Sequence, residues 1–303
     1  MSVSRSVGAV PSPRTRATGW WIAVIVVSVS TGCINVNAVL EQASEARRLS
    51  AELLVQFTKS ADAANRAVMA DTDEASVAFA REAEQATQAV QKDAAALGPV
   101  LQGLGYSNET RLLNDFVGRF VEYRVLDRRI LDLAVENTNL KAQRLSFGPA
   151  QEAADAFRDS LGAVSSSAGA KDAWRVQALV ARAVATVREI QVLQAPHIAD
   201  ADEAVMTRME KQMATSETVA RNALETLTHL VEPASRPRLA AASASLDRFI
   251  RLNAEIIALS RRNTNVRSLA LSLDEKRKLT AACEDSLRSL QDALTKRGHT
   301  GTR

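Results

Sequence analysis

Leu126-Asp127-Arg128-Arg129-Ile130-Leu131-Asp132-Leu133-Ala134-Val135-Glu136-Asn137-Thr138-Asn139 returns 126 residues later as Leu252-Asn253-Ala254-Glu255-Ile256-Ile257-Ala258-Leu259-Ser260-Arg261-Arg262-Asn263-Thr264-Asn265. Leu126, Ile130 and Leu133 match Leu252, Ile256 and Leu259, and both runs end in Asn-Thr-Asn. Apolar residues spaced by four and three form one face of an α-helix. The frame persists downstream, where Leu145-Ser146 matches Leu271-Ser272 and Asp159-Ser160-Leu161 matches Asp285-Ser286-Leu287. Upstream, Asp71, Asp73, Glu74 and Ala75 recur at an offset of 129 as Asp200, Asp202, Glu203 and Ala204. Identities that hold a frame over about forty residues mark a duplicated helical unit. The units are read as 34–166 and 167–297, with 298–303 as a tail.

Composition agrees. The 303 residues are 46% hydrophobic but only 4% aromatic, with 12 Gly and 7 Pro, and no Gly lies between Ala170 and Arg297. Long Ala- and Leu-rich helices have this balance. The expected fold is all-α: an elongated antiparallel helical bundle of two tandem homologous units. Charge is nearly balanced, 38 Lys and Arg against 35 Asp and Glu, and both signs are interspersed. No basic footprint for nucleic acid is visible.

Breaks in periodicity divide the chain into helices of about 36–70, 71–97, 107–146, 150–164, 171–194, 199–231, 238–273 and 274–296. Gly98-Pro99, Gly103-Leu104-Gly105 and Phe147-Gly148-Pro149 interrupt it, and Ser165-Ser166-Ser167-Ala168-Gly169 reads as a linker.

The N-terminus reads as an address. Arg5, Arg14 and Arg16 precede the apolar run from Trp20 to Val27, and the first acid is Glu41. About ten strongly apolar residues suit a signal h-region better than a membrane span of roughly 20. Ser30-Thr31-Gly32 before Cys33 resembles a bacterial lipobox, with Ser30 where Leu, Val or Ile is usual. Residues 1–33 thus read as a signal peptide with a lipobox-like cysteine, in which Cys33 is lipidated and becomes the first residue of the mature protein, the alternatives being an uncleaved anchor from Gly19 to about Leu40 and plain secretion. Each places the body outside the cytoplasm, and the first two anchor it to the cell membrane or outer membrane.

The Asn-Thr-Asn element, its heptads and the Leu-Ser and Asp-Ser-Leu stretches resemble the extracytoplasmic four-helix-bundle sensor domain of methyl-accepting chemotaxis receptors. The resemblance spans most of Val36 to Leu294 as two consecutive units. It implies an up-down bundle that takes a small ligand, often across a dimer interface, and moves one helix against its neighbours. The methylated cytoplasmic hairpin of that family is missing from this sequence, so a sensor would work through an unknown protein partner or a homodimer. The alternative is a structural envelope lipoprotein or coiled-coil adaptor.

Catalytic and metal constellations are not seen. His197, His229 and His299 lack partners at ligand spacing, and neither His197 nor His229 has Glu three residues before it, so no enzyme, metal or cofactor is expected. His197, after Pro196, reads as a surface turn residue. Asp127 reads as a solvated partner of Arg124 and Arg128. Met206, Met209 and Met213 form a core stripe, with an adaptable ligand groove as the rival reading. Arg261-Arg262, Lys141-Arg144, Lys276-Arg277-Lys278 and Lys296-Arg297 are the basic patches, and the first two flank Asn-Thr-Asn.

The candidate ligand or polar-layer residues are Asn137, Asn139, Arg144, Asn263, Asn265 and Arg267. Stepping by three and four from Tyr123 reaches Leu126, Ile130, Leu133, Asn137, Leu140, Arg144 and Phe147, and from Phe249 it reaches Asn263, Val266, Ala270 and Leu273. Both asparagines are therefore expected in the apolar seam of a continuous helix, hydrogen-bonding across the bundle. A register-setting amide of that kind predicts that Asn263→Leu leaves the melting temperature unchanged or raises it.

Overall fold

The structure, a computed structural model, describes the backbone of residues 22–166 and 171–300 and the side chains of 37–166 and 171–297. The readings of 1–21, of the Cys33 side chain and of 301–303 fall outside the described residues, as do the side chains of 22–36 and 298–300 and part of the linker. Among the described residues there are helices and no strands. None of those helices is long and apolar enough to cross a membrane.

Among the described residues six rods make up the fold. Helices α1 (Ile22–Met69) and α2 (Asp73–Gly103) form a hairpin, capped where Thr72 Oγ1 accepts from Ala75 N–H. The third rod is α3 (Ser107–Glu136), α4 (Thr138–Leu145), a π turn (Ser146–Ala150) and α5 (Gln151–Ser166). A second hairpin follows, α6 (Ala173–Ala199) and α7 (Glu203–Leu230), with Asp202 as N-cap of α7. The last rod repeats the third: α8 (Arg236–Arg262), α9 (Thr264–Leu271), a π turn (Ser272–Lys276) and α10 (Arg277–Thr300). Gly98-Pro99 does not break α2, and Phe147-Gly148-Pro149 is absorbed in a π turn whose mate lies 126 residues on.

Each long rod starts in one bundle and ends in the other. One core takes Leu53 and Phe57 of α1, Val90 and Leu97 of α2, Phe116 and Tyr123 of α3, and Cys283, Leu287 and Leu290 of α10. The second takes Phe157 and Leu161 of α5, Val187 of α6, Leu227 of α7 and Phe249 of α8. Two four-helix bundles thus stand end to end, each with three helices from one sequence unit and one from the other. The duplicated units and the packed bundles are different divisions of the chain. Burial pushes the Cys283 thiol up to about 12, the state of an inert core cysteine.

The structural repeat also refines the sequence one. Between the rods the offset is 126, but Met69 and Ala199 end their helices 130 positions apart, as do the N-caps Thr72 and Asp202. The buried pairs Phe57 with Val187 and Leu97 with Leu227 keep that 130 spacing. The acidic run matched at 129 is therefore one residue out of structural register.

Candidate functional site

Asn137 and Asn263 do not sit inside continuous helices. Both adopt the left-handed conformation, at φ 50 and 53, each ending one helix and opening the next. Asn tolerates this region because its short polar side chain bonds locally. The break exposes the first N–H groups of α4 and α9, which have no partner in their own helices. The other copy supplies the acceptors. Thr138 N–H donates to Thr264 Oγ1 and Thr264 N–H to Thr138 Oγ1, both at 3.2 Å; Asn139 N–H donates to Asn265 Oδ1 and Asn265 N–H to Asn139 Oδ1, both at 3.1 Å. Asn139 Nδ2 donates to Asn263 Oδ1 at 2.8 Å and Asn265 Nδ2 to Asn137 Oδ1 at 2.9 Å. The two Asn-Thr-Asn elements thus cap each other's helices in a two-fold clasp where the rods cross.

The clasp explains where the seam fails. Tyr123, Ile130 and Asn137 are buried, but beyond the break Arg144 and Phe147 are exposed, as are Ala270 and Leu273 in the second copy. A left-handed residue and then a π turn each shift the helical phase, so the buried line passes instead through Thr138, Ala142, Ser146 and Ala150. Arg144 reaches out to Asp73 at 3.0 Å, and Arg267 is exposed.

Around the two-fold the hairpin turns differ. In the second unit Asn139 Nδ2 donates to the Ile198 carbonyl at 2.6 Å and Asn263 Nδ2 to the Asp200 carbonyl at 2.7 Å. His197, expected on the surface, is wholly buried: α6 continues through Pro196, and Ser260 Oγ donates to the His197 carbonyl at 2.7 Å. Its Nδ1 meets Ser260 Oγ at 2.8 Å and its Nε2 meets Glu210 Oε1 at 2.9 Å. Side chains therefore cap the open carbonyls of the α6 C-terminus. Arg261 binds both Glu210 oxygens, at 2.6 and 2.9 Å, and also Thr207 and Glu203. That guanidinium holds the Glu210 carboxyl below its usual range and latches α8 to α7. Arg261 is therefore engaged internally, and Arg262 pairs with Glu136 at 2.8 Å. In the first unit Asn137 Nδ2 is buried without a hydrogen-bond partner.

The corresponding positions in the first bundle are small and apolar: Ala67 for His197, Ala80 for Glu210, Ala134 for Ser260 and Val135 for Arg261. Here the α2–α3 seam opens as a groove of about 350 Å³. Half-buried Val77, Ala80, Leu131 and Val135 make its floor, and exposed Arg81, Glu84, Arg124, Arg128 and Asp132 its rim. Asp127, expected to be solvated, is buried at the back of the groove and turns inward to Lys276 of the second π turn, 2.7 Å away. This is a contact of charge, since neither atom has a directed hydrogen bond. Burial raises the Asp127 carboxyl despite Lys276 and lowers the Lys276 amine despite Asp127. Lys276, read as part of a surface patch, is instead the best-buried cation of the described residues.

Two signals could have found this pair: Tyr123, Asp127, Ile130 and Ala134 step by four, three and four, and Asp127 aligns with the polar Asn253. Met206, Met209 and Met213 are buried along α7. Among the described residues no three His, Cys, Asp or Glu side chains are grouped to hold a metal ion. No protein-family model and no curated protein matches this chain.

Proposed function

We propose that this chain is a non-enzymatic sensor-type module, anchored in the cell envelope through its N-terminus, that takes a small ligand in the α2–α3 groove and acts through a partner protein. The observation that carries this reading is the difference between duplicated seams: Arg261 and Glu210 latch one, while Ala80 and Val135 leave the other open. Convergent charged side chains over an apolar floor suit a small-molecule site. A ligand there would touch α2 and α3, and Asp127 at the back of the groove pairs with Lys276 of the second π turn, which connects the site to the last rod.

A thermal-shift screen of small acids, amino acids and aromatics tests it. A ligand at 100 times its Kd should stabilise the protein by about 2.7 kcal/mol. Ala80→Leu, which projects a larger side chain from the groove floor, should weaken or abolish that gain and leave the unliganded fold intact. Binding unaffected by Ala80→Leu would remove the groove from the reading.

The adaptor reading has its own observation. Val117, Val121 and Val125 stand 39%, 52% and 73% exposed along one side of α3. On that reading Val121→Glu should dissolve a helix-mediated assembly seen by light scattering.

A further inference from the structure

We propose that the α2–α3 groove selects a small organic anion with a compact apolar body, which rests on the Val77, Ala80, Leu131 and Val135 floor while its acidic group meets Arg124 and Arg128. This rests on the reading of the groove as a ligand site and adds the class of ligand.

The charges around the groove carry the inference. Among the described residues Arg81, Arg124 and Arg128 have no hydrogen bond or ion pair, whereas Arg66 pairs with Glu82, Arg144 with Asp73 and Arg261 with Glu210. Glu84 and Asp132 are the free carboxylates of the rim, and Asp127 is held by Lys276. Three free guanidinium groups against two free carboxylates leave one positive charge for the ligand to balance. Arg124 and Arg128 lie one turn apart on α3, close enough to share one carboxylate by charge-assisted hydrogen bonds. Val77, Ala80, Leu131 and Val135 offer a ligand only carbon, so a polar group resting on them would lose hydration without compensation, while Thr87, Gln88 and Gln91 complete the lining. The volume, about 350 Å³, is at the small end for ligand sites and suits a small ligand with a phenyl or branched alkyl body.

Isothermal titration of the detergent-solubilised full chain tests this with phenylacetate and 4-methylpentanoate, their neutral amides, and phenethylamine. An acid should bind, its amide should bind about tenfold more weakly or worse, and the amine should bind no better than the amide, as expected for loss of one charge-assisted contact. Arg124→Gln and Arg128→Gln should each weaken the acid about tenfold and leave its amide unchanged, while Arg267→Gln, outside the groove, should change neither. Equal binding of acid and amide, tighter binding of the amine, or no binding of either acid overturns the anion class. If a ligand of another class binds and Ala80→Leu blocks it, the groove stands and only the class falls. If Ala80→Leu blocks no ligand, the sensor reading of the groove fails with it.

Discussion

Replacing the two clasp asparagines should give unequal costs, although the sequence presents them as equivalent. Asn263→Leu puts a branched side chain in the left-handed region, at about 1–2 kcal/mol. It also deletes the bonds to Asn139 Nδ2 and the Asp200 carbonyl, each worth about 1 kcal/mol. The expected loss is about 3–4 kcal/mol, opposite to the unchanged or raised stability predicted for a polar layer in a continuous helix. Asn263→Gly keeps the backbone conformation without strain and should lose only the two bonds, about 2 kcal/mol. Asn137→Gly loses the one bond from Asn265 and removes an amide nitrogen that has no partner, so its cost should be about 0–1 kcal/mol. Urea unfolding monitored by circular dichroism, with a common m-value, measures all three. Equal costs for the two glycine variants, or a neutral Asn263→Leu, would refute the clasp geometry.

Breaking the Asp127–Lys276 pair should cost more than removing it. Lys276→Met should lose about 3–5 kcal/mol at neutral pH, and Asp127→Asn with Lys276→Met should recover most of that. The sign with pH follows from the raised Asp127 carboxyl: protonation relieves the unpaired charge, so the Lys276→Met deficit should be small in acid and grow as pH rises through the folded-state value. A deficit independent of pH would mean that the pair is solvated. Arg261→Ala should destabilise by about 2–3 kcal/mol through lost charge-assisted bonds. Because Arg261 keeps the Glu210 carboxyl low, that contribution is present above the ordinary carboxylate range, about 4.3, and fades as pH falls through the folded value; a loss equal at pH 3 and pH 7 would contradict it. Intact mass after detergent extraction should show a diacylated Cys33 as the first residue, with Cys33→Ser left unprocessed; a wild-type chain retaining residues 1–32 favours the uncleaved anchor.

Local periodicity is a property of consecutive residues, so the sequence by itself determined the helical class and the duplication that brings Asn137 and Asn263 to corresponding places, but it stopped α2 at 97 and α6 at 194 where the helices run on to Gly103 and Ala199. Whether Asn137 ends a helix was not local: a left-handed residue there persists only because Thr264 and Asn265 cap the N–H groups it frees, and those residues lie 126 positions away. The exchange of α5 and α10 between bundles was equally hidden, since apolar stripes state which face is buried and not against what. His197 and Asp127 were misplaced for the same reason. Each has the composition of a surface residue, and only the tertiary structure supplies the Ser260, Glu210 and Lys276 groups that make burying them tolerable. The groove is a difference in side-chain volume between two copies of one seam, so it exists only once α2 and α3 are packed.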